Sequence, residues 1–217
     1  MEEKLKQQKT NIIKVVLFGP ESTGKTTLSK QLARHYNTVW APEFAREYLQ
    51  NKWNNERKTC QNSDLLPIAR GQMKLENDLA QKADKVLICD TDLLETKVYS
   101  EEYYGGYVNP ELEKAAIHNT YDLYLLTYID TPWEKDDLRD RPELRLEMFK
   151  AFEGTLKKYE RPYILLKGDK KTRFEKAVKK IDGILNSKQN LQSFSDNLTD
   201  LDLHFIHQQN DDFNNLG

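Results

Sequence analysis

The sequence predicts an α/β fold in which helices cover both faces of a parallel sheet of about five strands. Short apolar runs rich in β-branched residues alternate along the chain with longer segments whose apolar residues recur at helical spacing. The strand segments are largely apolar, which is typical of parallel strands that are covered on both faces. A length of 217 residues allows one domain, or one domain with an extension.

The first half of the chain contains three strand segments and three helical segments. The run 12–18, apolar except for Lys14, ends at Gly19 and predicts a buried strand. Leu28, Leu32 and Tyr36 lie four residues apart, on one face of a helix. The other segments of this half are a strand at 38–40, helices at 44–53 and 62–82, and a strand at 85–90.

The second half of the chain adds two strands, at 121–129 and 163–166, and two helices. The first helix is indicated by four apolar residues at spacings of three, four and three: Phe149, Phe152, Leu156 and Tyr159. A closing helix is predicted over 172–185.

The two ends of the chain differ from its body in composition. Residues 1–10 are charged and contain no apolar signal core, so we expect a solvated arm and a cytoplasmic protein. Residues 186–217 contain five Asp and one Lys, and many Asn and Gln. We therefore predict a domain over 11–185 and an acidic tail over 186–217. The tail is either a flexible terminus or a short helix that docks on this chain or on a protein partner through Leu198, Leu201 and Phe205.

Charge and cysteine content argue against several classes of protein. With 33 Lys and Arg against 35 Asp and Glu, the formal net charge of −2 gives no reason to expect a nucleic-acid partner. Two cysteines and four histidines without ligand spacing do not make a disulfide framework or a zinc site. The apolar runs fall far short of the roughly 20 residues that span a bilayer, so no membrane partner is expected either.

The strongest local signal is the loop GPESTGKT at 19–26, which fits G-x-x-x-x-G-K-[ST] between a buried strand and an amphipathic helix. Its glycines let successive N–H groups point at a phosphate, and the following helix adds the positive end of its dipole. Lys25 reaches the β and γ oxygens of a triphosphate, and the Thr26 hydroxyl holds Mg²⁺. The alternative is a glycine turn with an incidental lysine. The motif predicts a three-layer P-loop NTPase fold that binds ATP and Mg²⁺ through Gly19, Glu21, Ser22, Thr23, Gly24, Lys25, Thr26 and Thr27.

Acidic residues follow two other predicted strands, and the carboxyl ends of parallel strands gather ligands. Asp90 is placed to bind Mg²⁺, directly or through water. Asp92 and Glu43 are candidates to bind hydroxyl groups of a phosphoryl acceptor, and one of these acids serves as the base. Which acid takes the proton stays open, and each of them is otherwise an ordinary strand-end or helix-cap residue.

Residues around Glu43 suit a flat acceptor. Arg46, three positions later, faces either this crevice or a surface carboxylate. Trp40 and Phe44, together with Tyr48, offer rings that stack on a flat ring, and a cationic ring gains further attraction. Core packing is the alternative for these aromatic residues.

The segment 130–145, which we call the lid segment, carries arginines between acids ahead of a strong helix. Arginines that close over a γ-phosphate stabilise its charge and exclude water. Arg139 and Arg141 are the favoured pair, with Arg145 as a third candidate, and a solvated helix start is the alternative.

Several stretches of residues 11–185 resemble the ribosylnicotinamide kinase domain of the bifunctional NadR proteins. They are FGPESTGKTTL (Phe18–Leu28), PEFAREY (Pro42–Tyr48), CDTD (Cys89–Asp92) with the following Leu93–Tyr104, DDLR (Asp136–Arg139) and LKKYERPYILL (Leu156–Leu166). The combination of PEFAREY with DTD is much narrower than the phosphate loop, which is common to many families.

The resemblance implies a nucleoside-monophosphate-kinase-like fold and ATP-dependent phosphorylation of the 5′-hydroxyl of nicotinamide riboside, giving nicotinamide mononucleotide. It implies that Glu43, Arg46 and Asp92 lie in the acceptor site, with Trp40 and Phe44 near the cationic nicotinamide ring. Repression and dinucleotide synthesis are not carried over, because 217 residues leave no room for those domains. The alternatives are a kinase for another nucleoside or a vitamin alcohol, and an ATPase that acts as a partner-binding module.

Overall fold

The computed structural model describes residues 3–136, 138 and 142–190. The strands are β1 (Ile13–Phe18), β2 (Trp40–Ala41), β3 (Val86–Cys89), β4 (Leu123–Thr127) and β5 (Tyr163–Leu166). The helices are α1 (Lys25–His35), α2 (Phe44–Glu56), α3 (Asn62–Ala80), α4 (Leu93–Tyr103), α5 (Pro110–His118), α6 (Arg145–Lys158) and α7 (170–190). The chain divides into a unit that ends at Val178 and a second unit over 179–217, of which residues 179–190 are described and helical.

The five strands form one parallel sheet in the order β2-β3-β1-β4-β5. The central strand β1 pairs with β3 and β4, so that Val15 lies opposite Ile88 on one side and Leu123 on the other. Each step between strands crosses over through at least one helix or long connection, as parallel pairing requires. The predicted α/β class with a parallel five-stranded sheet is confirmed.

Alternating residues of β1 face two different layers. Val16 and Phe18 join the larger core cluster with residues of α3, α4, α5 and α6, whereas Val15 and Leu17 are buried towards the opposite face, which α1 covers. In the larger core the Phe18 ring packs edge-on against Phe152 of the predicted α6 stripe, at 5.0 Å between centroids. Successive residues of a strand therefore face opposite sides of the sheet, and each can contact only the helices on its own side.

Two helices, α4 and α5, were not predicted. The buried positions of α4 include Glu95, Lys97 and Ser100 beside its leucines, so the helix shows almost no apolar stripe. In α5, Asn109 caps the first turn and Pro110 follows it, which is a start signal that the sequence does contain.

Within the predicted solvated arm the structure describes residues 3–10, of which Leu5 departs from the expectation. Leu5 is fully buried in the larger core. The Gln8 amide N–H donates to Asn77, and the Asn77 amide donates to the Lys6 carbonyl, so this stretch is bound along α3. At the other end of the chain, the predicted tail helix that includes Leu198, Leu201 and Phe205 lies outside the described residues. None of the helices within the described ranges is long and apolar enough to cross a bilayer.

Candidate active site

The loop at 19–24 leaves the buried end of β1 and enters α1 with the backbone geometry that its glycines allow. Gly19 has a φ of +131°, and a Cβ there would lie 2.9 Å from both the Thr127 carbonyl oxygen and Thr127 Oγ1. Gly24 caps α1 at a φ of +85°, with nothing within 4 Å of its added Cβ. A side chain at position 19 would therefore collide with Thr127 of β4. Position 24 favours glycine because of its positive φ, and the space above the helix N-terminus there is open.

The Lys25 side chain is buried across the loop. Its ammonium donates to the carbonyl oxygens of Gly19 at 2.5 Å and Pro20 at 3.1 Å, and lies 3.1 Å from Glu95 Oε1. Burial opposes the charged form, but nearby carboxylates outweigh it and raise the pKa of Lys25. In order of effect these carboxylates are Glu95, Glu43 and Asp90.

Asp90 follows β3 directly and lies beside the first two turns of α1. Its Oδ1 accepts a hydrogen bond from Ser29 Oγ at 3.2 Å, and the Thr26 side chain also hydrogen-bonds to it. Burial raises the pKa of Asp90, against the hydrogen bond of Thr26 and the charge of Lys25. The structure thus brings together the two residues that the sequence predicts as magnesium ligands, Thr26 and Asp90.

Asp92 is the N-cap of α4. Its Oδ1 accepts from the Glu95 amide at 2.9 Å, and its Oδ2 accepts from the Tyr124 hydroxyl at 2.8 Å. The residue is 1 % exposed, and burial raises its pKa to about 7 although both hydrogen bonds oppose the shift. Both oxygens of Asp92 therefore have protein donors, and its role towards an acceptor stays a prediction.

Glu95 lies in the first turn of α4 and was missed by the sequence reasoning. It is 2 % exposed, and it pairs with Lys25 through one oxygen. Burial raises the pKa of Glu95 well above its ordinary value, against the opposing charge of Lys25. The signal that could have found it is the D-x-x-E spacing of Asp92 and Glu95, a capping pattern that marks the start of a helix at the end of a strand.

Glu43 is the N-cap residue of α2 and is held by its neighbours rather than by a side-chain cap. The buried Gln72 side chain donates to the Pro42 carbonyl at 3.2 Å and accepts from the Phe44 amide at 2.8 Å. Gln72 therefore fixes the main chain on both sides of Glu43, and it too was missed. The Phe44 ring lies against Gly71 of α3, where an added Cβ would be 2.2 Å from the ring.

The structure divides the predicted aromatic group. Phe44 lies near Tyr48, with ring centroids 6.3 Å apart. Trp40 pairs in register with Ile88, on the α1 side of the sheet, and the Lys30 ammonium lies 5.2 Å from its ring centroid. Trp40 and Phe44 thus belong to opposite layers, and the stacking of either ring on an acceptor stays a prediction.

Arg46 forms a salt bridge from α2 to the lid segment, with 2.6 Å between Nη2 and Asp136 Oδ2. This hydrogen bond raises the pKa of Arg46, and the charges of Glu43 and Glu21 add to the shift. The pairing with Asp136 is the alternative that the sequence left open for Arg46, and a contact of Arg46 with an acceptor stays a prediction. Arg139 and Arg141 lie outside the described residues.

Arg145 is the lid-segment arginine that the structure describes, and it contacts the phosphate loop. Its guanidinium donates to the Ser22 carbonyl at 3.2 Å and to the Thr131 carbonyl at 3.1 Å. The Thr131 hydroxyl also donates to the Ser22 carbonyl, and the guanidinium stacks 5.6 Å from the Trp133 ring centroid. Of the other predicted loop residues, Glu21 accepts a hydrogen bond from the Tyr103 hydroxyl, and Thr27 is exposed in the first turn of α1.

A family model described as the AAA domain matches residues 14–173. Two curated relatives, the proteins described as trifunctional NAD biosynthesis/regulator protein NadR from Salmonella typhimurium strain LT2 and Escherichia coli strain K12, are each 33 % identical over 125 residues. The aligned stretch is 58 % of this chain but 30 % of each relative, so the chain spans less than a third of their length.

Solved structures of NadR proteins and of a nucleoside kinase are also similar to this chain. A NadR protein in complex with NR has a TM-score of 0.65 at 22 % identity, covering 78 % of this chain and 50 % of that one. A NadR protein with NAD and AMP-PNP has a TM-score of 0.60 at 23 % identity, covering 77 % and 48 %. A deoxyadenosine kinase from M. mycoides has a TM-score of 0.58 at 19 % identity, covering 79 % and 100 %. The fold is that of P-loop kinases, and the resemblance to NadR proteins is confirmed.

Proposed function

The chain belongs to the AAA domain family, and from that premise we propose that it is an ATP-dependent kinase. Its acceptor is the 5′-hydroxyl of nicotinamide riboside, and its product is nicotinamide mononucleotide. One observation supports this most directly: the buried Lys25 of the phosphate loop lies within reach of carboxylates from three other segments of the chain. In phosphoryl transfer the protein supplies mainly position and charge, and such a crevice holds donor and acceptor together.

The donor phosphates bind over the N-terminus of α1. We expect the N–H groups of the loop and of the first turn of α1 to bind phosphate oxygens in the space above Gly24, and the Lys25 ammonium to move from its loop carbonyls to the β and γ oxygens. Arg145 and Arg173 hold the outer side of the loop through the carbonyls of Ser22 and Thr23. The loop therefore keeps its N–H groups directed at the phosphates.

The oxygen donors of Thr26 and Asp90 fit Mg²⁺, which prefers hydroxyl, carboxylate and water ligands. When bound there, Mg²⁺ neutralises charge that develops on the phosphates. Asp90 is also fixed by Ser29, so its carboxylate is oriented before any metal binds. Magnesium dependence and a cytoplasmic location are parts of this proposal.

The acceptor lies between α2 and α4, on the side of the sheet that carries the larger core. Glu43 and Arg46 carry opposite charges at the start of α2, and Phe44 lies between them in the chain. The NadR structure with NR is a relative of the same fold, and a cationic nicotinamide ring suits a crevice rich in carboxylates and aromatic rings. Arg139 and Arg141 complete the proposal as the lid arginines that stabilise the transferring phosphoryl group.

We extend the proposal to the organisation of the chain, with a catalytic domain over 11–185 and an acidic tail over 186–217. The tail docks on this chain or on a protein partner. An ATPase that serves as a partner-binding module would instead hydrolyse ATP without an acceptor and retain its partner through this tail.

The test is an ATP-turnover assay with nicotinamide riboside and a panel of ordinary nucleosides and vitamin alcohols. We expect nicotinamide riboside to be the best acceptor, and Lys25→Ala to abolish transfer, because the loop loses its mobile cation at the phosphates. Lys171→Ala, at an exposed lysine of α7, is the matched control and should retain full turnover. Equal or better use of another nucleoside would remove the proposed acceptor, and acceptor-independent hydrolysis would favour the ATPase module.

A further inference from the structure

Glu95 is a buried carboxylate that the predicted machinery does not include. Its Oε1 lies 3.1 Å from the Lys25 ammonium, while its Oε2 is buried and has no hydrogen-bond partner within the described ranges. A buried polar atom without a partner costs free energy, and more so when the group is charged. Proteins rarely keep such an atom without a reason, and a missing ligand is one of the reasons.

The carboxylate of Glu95 is firmly placed. Its residue lies in the first turn of α4, where its own amide donates to the Asp92 side chain at 2.9 Å. The Asp92 side chain is in turn fixed by the Tyr124 hydroxyl of β4. The Glu95 backbone is thereby tied to the central sheet, and its side chain to the phosphate loop through Lys25.

The position of Glu95 relates it to the transferred group. Lys25 is the residue that reaches the β and γ oxygens, and Glu95 is bound to its ammonium. The charges of Glu43 and Asp92 act on Glu95, so the three carboxylates share one region. A hydroxyl that meets Glu95 Oε2 would therefore stand next to the γ-phosphoryl group.

The neighbouring acid Asp92 is less suited than Glu95 to receive a hydroxyl. Both oxygens of Asp92 already accept hydrogen bonds from protein groups. An ion pair between Glu95 and Lys25 alone explains Oε1 but leaves Oε2 without a donor. What the site lacks at this point is one hydrogen-bond donor, and an alcohol supplies one.

We propose that Glu95 binds the reacting hydroxyl of the acceptor, which donates its hydrogen bond to Oε2. The inference rests on the proposed function and adds to it a residue that contacts the acceptor. In this arrangement the ion pair of Lys25 and Glu95 positions both the phosphoryl donor and the acceptor hydroxyl.

The experiment compares two ligands on two proteins. Nicotinamide riboside and its 5′-deoxy analogue are titrated calorimetrically into the full chain and into Glu95→Gln, each saturated with AMP-PNP. The wild type should bind the riboside about tenfold to a hundredfold more tightly than the analogue, the range of a hydrogen bond to a charged group. In Glu95→Gln the ratio should fall below about threefold, because Lys25 holds the amide oxygen and leaves the NH₂ group facing the hydroxyl.

The control is Glu102→Gln, at an exposed glutamate of the same helix, which should keep the wild-type ratio. Equal weakening of both ligands by Glu95→Gln would overturn the proposal, because Glu95 would then act without touching the hydroxyl. If Glu95→Gln fails to fold, Glu95→Asp replaces it, and full retention of the ratio in that shorter side chain would overturn the proposal equally.

Failure of the proposed function gives a different result. If the wild type phosphorylates another nucleoside instead, the same comparison is made with that nucleoside and its 5′-deoxy form. In that case the identity of the acceptor is wrong, and the ratio still decides the role of Glu95. A chain that phosphorylates no alcohol at all would overturn both.

Discussion

Arg173 holds the phosphate loop through the main chain of Thr23, whose carbonyl oxygen accepts from Nη1 at 2.7 Å. The same guanidinium donates to the carbonyls of Gly168 and Tyr128 at 2.9 Å and forms an ion pair with Asp130. Arg173 is 4 % exposed, so these bonds are made away from water. A single side chain thus joins the loop to the ends of β4 and β5.

Arg173→Met should lower the free energy of unfolding by about 3 kcal/mol, because it leaves a partly buried carboxylate and several carbonyls without their donor. Affinity for AMP-PNP should fall as well, since the loop loses its anchor. Urea denaturation and calorimetry measure the two effects. Lys171→Met, two residues earlier in α7 at an exposed lysine, should change stability by less than about 0.5 kcal/mol. Wild-type stability in Arg173→Met would contradict this account of the loop.

Gly71→Ala and Gly154→Ala should have opposite effects although both glycines lie inside helices. At Gly71 the new Cβ would lie 2.2 Å from the Phe44 ring, so the ring must move, at a cost of about 1–3 kcal/mol. At Gly154 nothing lies within 4 Å, and alanine should stabilise α6 by about 0.5–1 kcal/mol. Urea denaturation checks both. Equal stability changes would show that Phe44 does not rest on Gly71.

Most strands could be predicted because their residues are largely apolar and buried, and β5 has the predicted bounds. Helix α4 could not, since charged residues occupy some of its buried positions: Glu95 and Lys97 remove the apolar stripe. A helix whose buried face carries charge shows no periodic apolar pattern. The N-cap residue Asp92 is the sequence signal that remains for α4.

The site was predicted where a motif fixes the local geometry and missed where tertiary contacts do. Thr26 and Asp90 meet because a phosphate loop and a neighbouring strand end at the same edge of the sheet. The separation of Trp40 from Phe44 could not be predicted, because β2 is only two residues long and the sequence does not show which side of the sheet each of its residues faces. No sequence motif marks Arg173, since the carbonyl groups that accept its hydrogen bonds belong to distant segments, Thr23 and Tyr128, or to the turn at Gly168.

Phe44→Leu and Trp40→Leu test which predicted ring contacts the acceptor. Phe44 follows Glu43 and lies on the side of the sheet that carries α3 and α4, so Phe44→Leu should raise KM for the acceptor by about tenfold, the scale of one lost stacking contact. KM for ATP should change little. Trp40→Leu should change both constants by less than about threefold, because its ring lies with Lys30 over the other face. A larger acceptor effect at Trp40 would reverse this assignment.

Asp92→Asn should make stability less dependent on pH. Burial raises the pKa of Asp92 from 3.8 to about 7, and the charge of Glu76 adds to it. Between these values the folded chain binds a proton that the unfolded chain has lost, so this group's contribution to stability falls as pH rises towards 7 and is flat above it. The wild type should therefore lose up to about 1.4 kcal/mol per pH unit relative to Asp92→Asn within that window.

Urea denaturation at pH 5, 6, 7 and 8 measures this difference. Asp78→Asn, at an exposed carboxylate of α3, is the control and should follow the wild type at every pH. Parallel curves for the wild type and Asp92→Asn would mean that Asp92 is charged throughout the range in the folded chain.

Arg46→Met and Asp136→Asn separate the two roles of the pair that joins α2 to the lid segment. The Arg46 side chain is 45 % exposed, so loss of the ion pair should cost less than about 1 kcal/mol of stability in either variant. If Arg46 binds the acceptor or its phosphoryl group, Arg46→Met should lower kcat/KM about tenfold to a hundredfold, whereas Asp136→Asn should keep it within about threefold. Steady-state kinetics at low and high salt measures both. Equal losses in the two variants would instead mean that the salt bridge itself, and with it the position of the lid segment, is what turnover needs.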